Sequence, residues 1–186
     1  MDAAPLTRLA DGCRIGVLAD THCDRGSRRL PAAVFEAFAG VQLILHLGDC
    51  GDASALDELA RLAPVLATRG GDDSAADGRY AAMRVIAAGA LTVGALFDVS
   101  AAGLLVHEGR PAAASAADVA ARLTGAFGRR VDVVLFAATH ASLVAHLGGV
   151  LFVNPGSATL PAAPTAASVA VLDVRAAVAS VDIVRV

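Results

Sequence analysis

The 186-residue sequence has no tryptophan, a single tyrosine and no lysine, its whole basic complement of 15 being arginine. Aromatic residues make up only 4% of the chain, too few for a platform on which nucleic-acid bases stack. A net charge of −3 and a pI near 5.9 likewise supply no basic footprint, so no nucleic-acid partner is expected. Only three cysteines are present, Cys13, Cys23 and Cys50, an odd number without a Cys-x-x-Cys pair. That pattern excludes a disulfide scaffold and fits a reducing, cytoplasmic compartment. Dense Leu/Ile/Phe runs are missing too, although 56% of the residues are hydrophobic and the mean hydropathy is +0.62. The most apolar stretch, 87–106, carries Asp98, Ser100 and several glycines. A charge near the middle of a span is costly in lipid, so this stretch reads as strands and turns and no membrane is expected. No basic segment followed by an apolar one opens the chain, so a secretory signal is not expected either.

What is there is an alanine-rich chain with short Val/Ile/Leu runs. Residues 14–19 read as a buried strand ending on Asp20-Thr21-His22, after a loose lead-in over 1–12. Pro31 opens a helix to Phe38 with Val34, Phe35 and Phe38 at helical spacing. A second strand, 41–46, runs into Gly48-Asp49, and a helix capped by Asp52 or Ser54 carries Leu56, Leu59 and Leu62. A third strand, 64–68, ends in Arg69-Gly-Gly-Asp-Asp73. Strands alternating with helices imply a parallel sheet with crossovers. Beyond Gly78 the spacing changes to short β runs at 84–88, 90–99 and 103–107. A helix over 115–127, a strand at 131–136, a glycine-turn hairpin and two closing strands complete the chain. Nothing marks a boundary, so residues 1–186 are expected to form one domain, large enough to bury about 70% of its unfolded surface.

The chemistry-bearing residues are few and sit after strands. Asp20, His22, Asp49, His107 and His140 each follow an apolar run directly or within a few residues. Ligands of α/β sheets gather beyond strand carboxyl ends, so these five converge in principle on one crevice. Any one of them alone is a turn residue or a satisfied histidine. Imidazoles and carboxylates together, without paired cysteines, suit a divalent transition ion: Mn, Zn, Fe or Ni.

The segments Ile15-Gly-Val-Leu-Ala-Asp-Thr-His22, Leu45-His-Leu-Gly-Asp49, Thr68-Arg-Gly-Gly-Asp-Asp73, Leu105-Val-His107, Ala138-Thr-His140 and Val153-Asn-Pro-Gly-Ser-Ala-Thr-Leu-Pro161 resemble, in order, the motifs of the calcineurin-like metallophosphoesterases. The likeness is to their small bacterial and archaeal phosphodiesterase branch. It implies a four-layer αββα sandwich with two mixed β-sheets. It also implies a two-metal site whose metal-bound hydroxide attacks a phosphate ester, the two ions lying about 3.5–4 Å apart. The family's first-ion ligands match Asp20, His22, Asp49 and His140. The second ion would share Asp49 and take His107, but Gly71 stands where an Asn is expected and Ala138 where a His is expected. Asp49 and His107 are therefore the expected catalytic pair around one well-held ion, with a second ion short of two ligands.

Two outcomes stay open. Asp72 or Glu108 replaces a lost ligand, giving a phosphoesterase acting on a small phosphate ester. Alternatively the chain resembles the related subunit of the eukaryotic retromer, a weak or inactive scaffold that binds a protein partner. Homo-oligomerisation is open as well. Among lesser candidates, Arg25, Arg28 and Arg29 follow the first motif and can meet a phosphate. His46 is expected behind the ligands, His146 on the surface, and Asn154-Pro-Gly-Ser157 in a turn supporting the crevice.

Overall fold

In a strand, successive side chains point to opposite faces, and β2 (Cys13–Leu18) uses both. Ile15 and Val17 are fully buried toward one layer, whereas Gly16 and Leu18 face another. The computed structural model describes residues 6–24, 27–107 and 110–186. Its elements in chain order are β1 (Leu6–Leu9), β2, α1 (Ala32–Ala37), β3 (Leu43–His46), α2 (Ser54–Leu59), β4 (Val65–Thr68), β5 (Tyr80–Ala81), β6 (Met83–Ala88) and β7 (Leu91–Leu96). A 3-10 turn (Val99–Ala102) follows. Then come β8 (Leu105–His107), β9 (Arg110–Ala112), α3 (Ala116–Phe127), β10 (Val133–Leu135), β11 (Ser142–Leu147), β12 (Val150–Pro155), β13 (Ser168–Arg175) and β14 (Val178–Arg185).

Two mixed six-stranded sheets result, ordered β14-β13-β2-β3-β4-β5 and β1-β6-β7-β10-β12-β11, with β8–β9 as a separate hairpin. One apolar core lies between the sheets, built from Ile15, Val17, Leu43, Leu45, Ile86, Val93, Val133, Leu135, Val153 and Leu172 among others. The outer face of the first sheet packs on α1 and α2 through Leu18, Val34, Phe38, Ile44, Leu56 and Leu59. The outer face of the second packs on α3 through Val119, Leu123 and Phe127. This is the expected four-layer αββα arrangement. The helix–sheet fit is close: a Cβ at Gly16 would lie 2.8 Å from the Phe38 ring, so no larger residue fits beneath α1.

The strands β2, β3 and β4 run parallel, as the alternation of strand and helix implies. α3 has the expected ends: the Ser115 hydroxyl accepts from the Asp118 N–H at 3.1 Å, and Gly128 closes it at φ 69°. The lead-in differs from expectation. Leu6–Leu9 forms an edge strand parallel to β6, and four residues paired with a partner nearly 80 positions away leave no local periodic signal. The run over 90–99 is also shorter than expected. It stops at Leu96, and Asp98 caps a 3-10 turn by accepting from the Ser100 N–H. Among the described residues no helix is long and apolar enough to cross a membrane.

Candidate metal centre

Because β2, β3 and β4 are parallel, the loops after all three open at one edge of the first sheet. The first two loops are laced together by main-chain bonds. The Asp20 N–H donates to Gly48 O (3.0 Å), His22 N–H to Asp49 O (2.9 Å) and Cys23 N–H to Cys50 O (2.8 Å). From the second sheet, the chain after β10 brings Ala138 and His140 to the same place. Among the described residues, seven non-glycine residues have positive φ, and five of them are here: Asp20 (49°), His22 (40°), Asp49 (52°), Ala138 (69°) and His140 (57°). The other two, Ala176 and Ala177, form the tight β13–β14 turn. Left-handed backbone at non-glycine residues costs on the order of 1 kcal/mol or more each, and it collects where a fold holds side chains in set directions.

The side chains meet closely. His22 Nε2 lies 3.4 Å from His140 Nε2, and the rings stack with centroids 5.1 Å apart and 19° between planes. Asp20 Oδ1 is 3.9 Å from His140 Nε2, and Asp49 Oδ2 is 3.9 Å from His22 Nε2. Each imidazole is tied at its other nitrogen. His140 Nδ1 is 2.7 Å from the Leu160 carbonyl oxygen, and His22 Nδ1 is 2.7 Å from Asp72 Oδ2. Both partners are acceptors, so each Nδ1 carries a proton, and in the neutral ring that tautomer turns the Nε2 lone pair toward the other donors. Two imidazole Nε2 atoms and two carboxylates thus meet in one crevice.

Asp20 is fully buried, and neither of its carboxylate oxygens has a hydrogen-bond partner among the described residues. Burial pushes its carboxyl up to about 6 from an ordinary 3.8. Attraction to His140 in its protonated form opposes that, the Asp49 charge adds to it, and protonated His22 and the dipole of the Ala138 amide oppose it further. An unpartnered buried carboxylate is costly unless a cation neutralises it. A tetrahedral ion with bonds of about 2.0–2.1 Å sets its donors roughly 3.3–3.4 Å apart, the separation of the two Nε2 atoms. The donor set fits a divalent transition ion.

The supporting shell is mostly main chain. The Asp73 carboxylate accepts from the Asp49 N–H (2.9 Å), Cys50 N–H (2.9 Å) and Gly70 N–H (2.8 Å), fastening the second and third loops together. Gly70 has to be glycine, since a Cβ there would meet Asp49 Oδ1 at 2.2 Å. The Ser157 hydroxyl donates to Asp20 O (2.7 Å) and accepts from Leu160 N–H (2.8 Å), and the Thr159 hydroxyl donates to Thr21 O. Asn154 donates to Ala137 O and to the Thr139 hydroxyl while accepting from Gly156 N–H. The Asn-Pro-Gly-Ser turn therefore braces the crevice. His46 is fully buried, takes the Gly48 N–H on Nδ1 at 3.2 Å and donates from Nε2 to the Thr21 hydroxyl at 2.9 Å. Burial holds its pKa down at about 4, so it stays neutral behind the donors.

Asp20, His22 and His140 thus form one group of close donors, and His22, Asp49 and Asp72 form another. His107 belongs to neither; it lies exposed on the β8–β9 hairpin. Gly71 and Ala138 bring no donor atom. Glu108 and Arg25 lie outside the described residues. Arg28 donates to the His22 carbonyl at 3.0 Å, a structural bond. With Arg29 it lines a neighbouring cavity of about 320 Å³ whose walls contain none of the four donors. His146 is on the surface, as expected. Asp73, Thr159 and the Leu160 carbonyl are the parts that sequence reasoning missed. Only the Asp-Asp repeat after two glycines hinted at the first.

The sequence model of the Calcineurin-like phosphoesterase superfamily domain matches residues 13–177. A probable metallophosphoesterase of Methanocaldococcus jannaschii is 31% identical over 150 residues, covering 81% of this chain and 70% of that protein. Among solved structures, Vps29 of Chaetomium thermophilum superposes with a TM-score of 0.69 at 23% identity, covering 94% of this chain and 97% of that one. Vps29 of Entamoeba histolytica, solved complexed with Zn2+, gives 0.66 at 20% identity, covering 92% and 98%. The structural likeness is one of fold, whereas the sequence match spans most of the chain in the order of the motifs at the crevice. The chain belongs to the calcineurin-like phosphoesterase superfamily.

Proposed function

We propose that this protein hydrolyses a small phosphate ester with one divalent transition ion held by Asp20, His22, Asp49 and His140. The observation that carries the reading is the fully buried Asp20 carboxylate, without a hydrogen-bond partner among the described residues, beside two imidazoles whose Nε2 atoms lie 3.4 Å apart. When bound, such an ion polarises a phosphoryl oxygen and lowers the pKa of a coordinated water toward 7. The chain's own residues do the rest. Leu160 and Asp72 hold the imidazoles in one tautomer and one orientation. Asp49 commits Oδ1 to the Asp72 N–H at 2.9 Å, which leaves Oδ2 toward His22. Ser157, Thr159 and Asp73 keep the strained loops from relaxing. Asp49 is the catalytic residue of this reading. His107 enters it only if the β8–β9 hairpin carries it to the crevice. Three free, buried cysteines suit a cytoplasmic setting.

A second reading is supported by Gly71, Ala138 and the exposed His107. With only one ion, the leaving oxygen loses the stabilisation that a second would give. The fold would then serve as a metal-binding scaffold for a protein partner. Reconstituting the metal-free protein with manganese or zinc and assaying a generic phosphodiester separates the two. Hydrolysis by the wild type that is lost in Asp20→Ala supports the enzyme. Activity only after Gly71→Asn with Ala138→His supports the scaffold.

A further inference from the structure

We infer that Asp72 is a positioning residue for the metal centre, acting on two of its four donors at once, and not a replacement ligand. The inference rests on the proposed single-ion centre and assigns a role to a residue that the centre does not itself require. Asp72 stands between Gly71, which lacks the expected donor, and Asp73, which ties down the loops. It is therefore the natural candidate to fill the second ion site. Its geometry says otherwise. The Oδ2 atom lies 2.7 Å from His22 Nδ1, a hydrogen-bond distance too short to admit an ion between them. His22 presents Nε2, not Nδ1, to His140 and Asp49. Asp72 therefore holds the ring by the side that faces away from the donors.

The main chain of the same residue holds a second donor. The Asp72 N–H donates to Asp49 Oδ1 at 2.9 Å and so turns Oδ2 toward His22 Nε2. The side chain of Asp72 and its amide thus steer His22 and Asp49 respectively. A carboxylate on the far nitrogen of an imidazole fixes the tautomer and makes the near nitrogen a stronger donor. His140 has only a neutral carbonyl in the corresponding place, so the charge-assisted bond is on His22 alone. The chain that lacks two second-site donors thus reinforces the first site through the same loop. The Asp72 side chain is 59% exposed and stands outside the apolar cores, so replacing it perturbs the centre without removing packing.

The test uses Asp72→Asn, Asp72→Ala and zinc alone as the probe, measured by chelator competition on the full chain. Removing such a partner weakens metal binding by about 10- to 100-fold. Asp72→Asn, which keeps a neutral acceptor, should fall at the low end of that range and Asp72→Ala at the high end, both still binding one ion. A purely structural role would not move the second readout, the 15N signals of His22 in the metal-free protein. The wild type should show a protonated Nδ1, and Asp72→Ala should show loss of that tautomer preference, with unchanged urea unfolding. Zinc affinity in Asp72→Ala equal to the wild type would overturn the inference. So would a fall from two bound ions to one, which would make Asp72 a ligand. A wild type that binds no zinc overturns the metal-centre reading instead, and the metal-free tautomer signal still decides the role of Asp72.

Discussion

The two halves of the crevice are built to different standards. On one side Asp20, His22, Asp49 and His140 are each held by a named bond or by complete burial, on backbone bent into left-handed conformations. On the other, Gly71 and Ala138 are bare and His107 stands exposed on its hairpin. Yet the supports are not confined to the first half. Ala138 keeps a φ of 69° although its methyl offers no donor, and the space at Gly71 is open, with Asp49 Oδ1 at 3.7 Å the only atom of the described residues within 4 Å of a Cβ there. The left-handed backbone persists at Ala138, where the side chain offers no donor atom. Loop geometry is held by many main-chain bonds, whereas a donor is one side chain, so the first does not depend on the second.

The sharpest break of this contrast is Asp20→Ala or Asp49→Ala. Either should weaken zinc binding by more than about 100-fold and abolish any hydrolysis, as read by chelator competition and a phosphodiester assay. Asp73→Ala should come next. It strands three loop N–H groups at about 1 kcal/mol or more each, so urea denaturation should show a loss of roughly 3 kcal/mol, with weaker metal binding.

Charge at the first half makes a prediction of opposite sign. The metal-free folded protein holds a proton on Asp20 up to about pH 6, whereas the unfolded chain releases it near 3.8. The folded state thus binds the extra proton, and this group's contribution to stability declines as pH rises from about 4 through 6. His46 does the reverse: its folded pKa of about 4 lies below 6.5, so its contribution is lost as pH falls through that window. The two slopes oppose each other in the wild type. In EDTA, Asp20→Asn should be more stable than the wild type at pH 7, by on the order of 2 kcal/mol, and should show a steeper rise of stability between pH 4 and 6. Equal stability of the two across that range would remove Asp20 as a buried, unneutralised charge.

Restoration is milder. Gly71→Asn meets open space, and histidine tolerates the left-handed conformation better than most residues, so Gly71→Asn with Ala138→His should fold with a change below about 1 kcal/mol. Metal analysis should then show a second, weaker ion. The smallest effect is expected of His107→Ala, within about 0.5 kcal/mol in stability and without change in zinc affinity. A marked loss of affinity there would mean that the β8–β9 hairpin reaches the crevice.

The gathering of Asp20, His22, Asp49 and His140 was legible in the sequence because Asp20-Thr-His22 and Gly48-Asp49 end strands whose alternation is plain, and because rare residues mark the strand ends. The four layers followed from the same alternation together with the family likeness. Residues whose meaning depends on a partner distant in sequence were not legible. Leu6–Leu9 becomes a strand only against β6, and Asp72 reads as a spare ligand until His22 is seen to offer it Nδ1. Periodicity reports which face a residue takes. It does not report which of two ring nitrogens looks inward, or that Leu160 supplies a carbonyl to His140.

The most direct measurement is the number of zinc ions bound per chain, by elemental analysis after reconstitution and gel filtration, for the wild type and Asp20→Ala. One ion in the wild type and none in the variant is the expected result. Two ions in the wild type, or one retained by Asp20→Ala, would contradict a single centre built on Asp20, His22, Asp49 and His140.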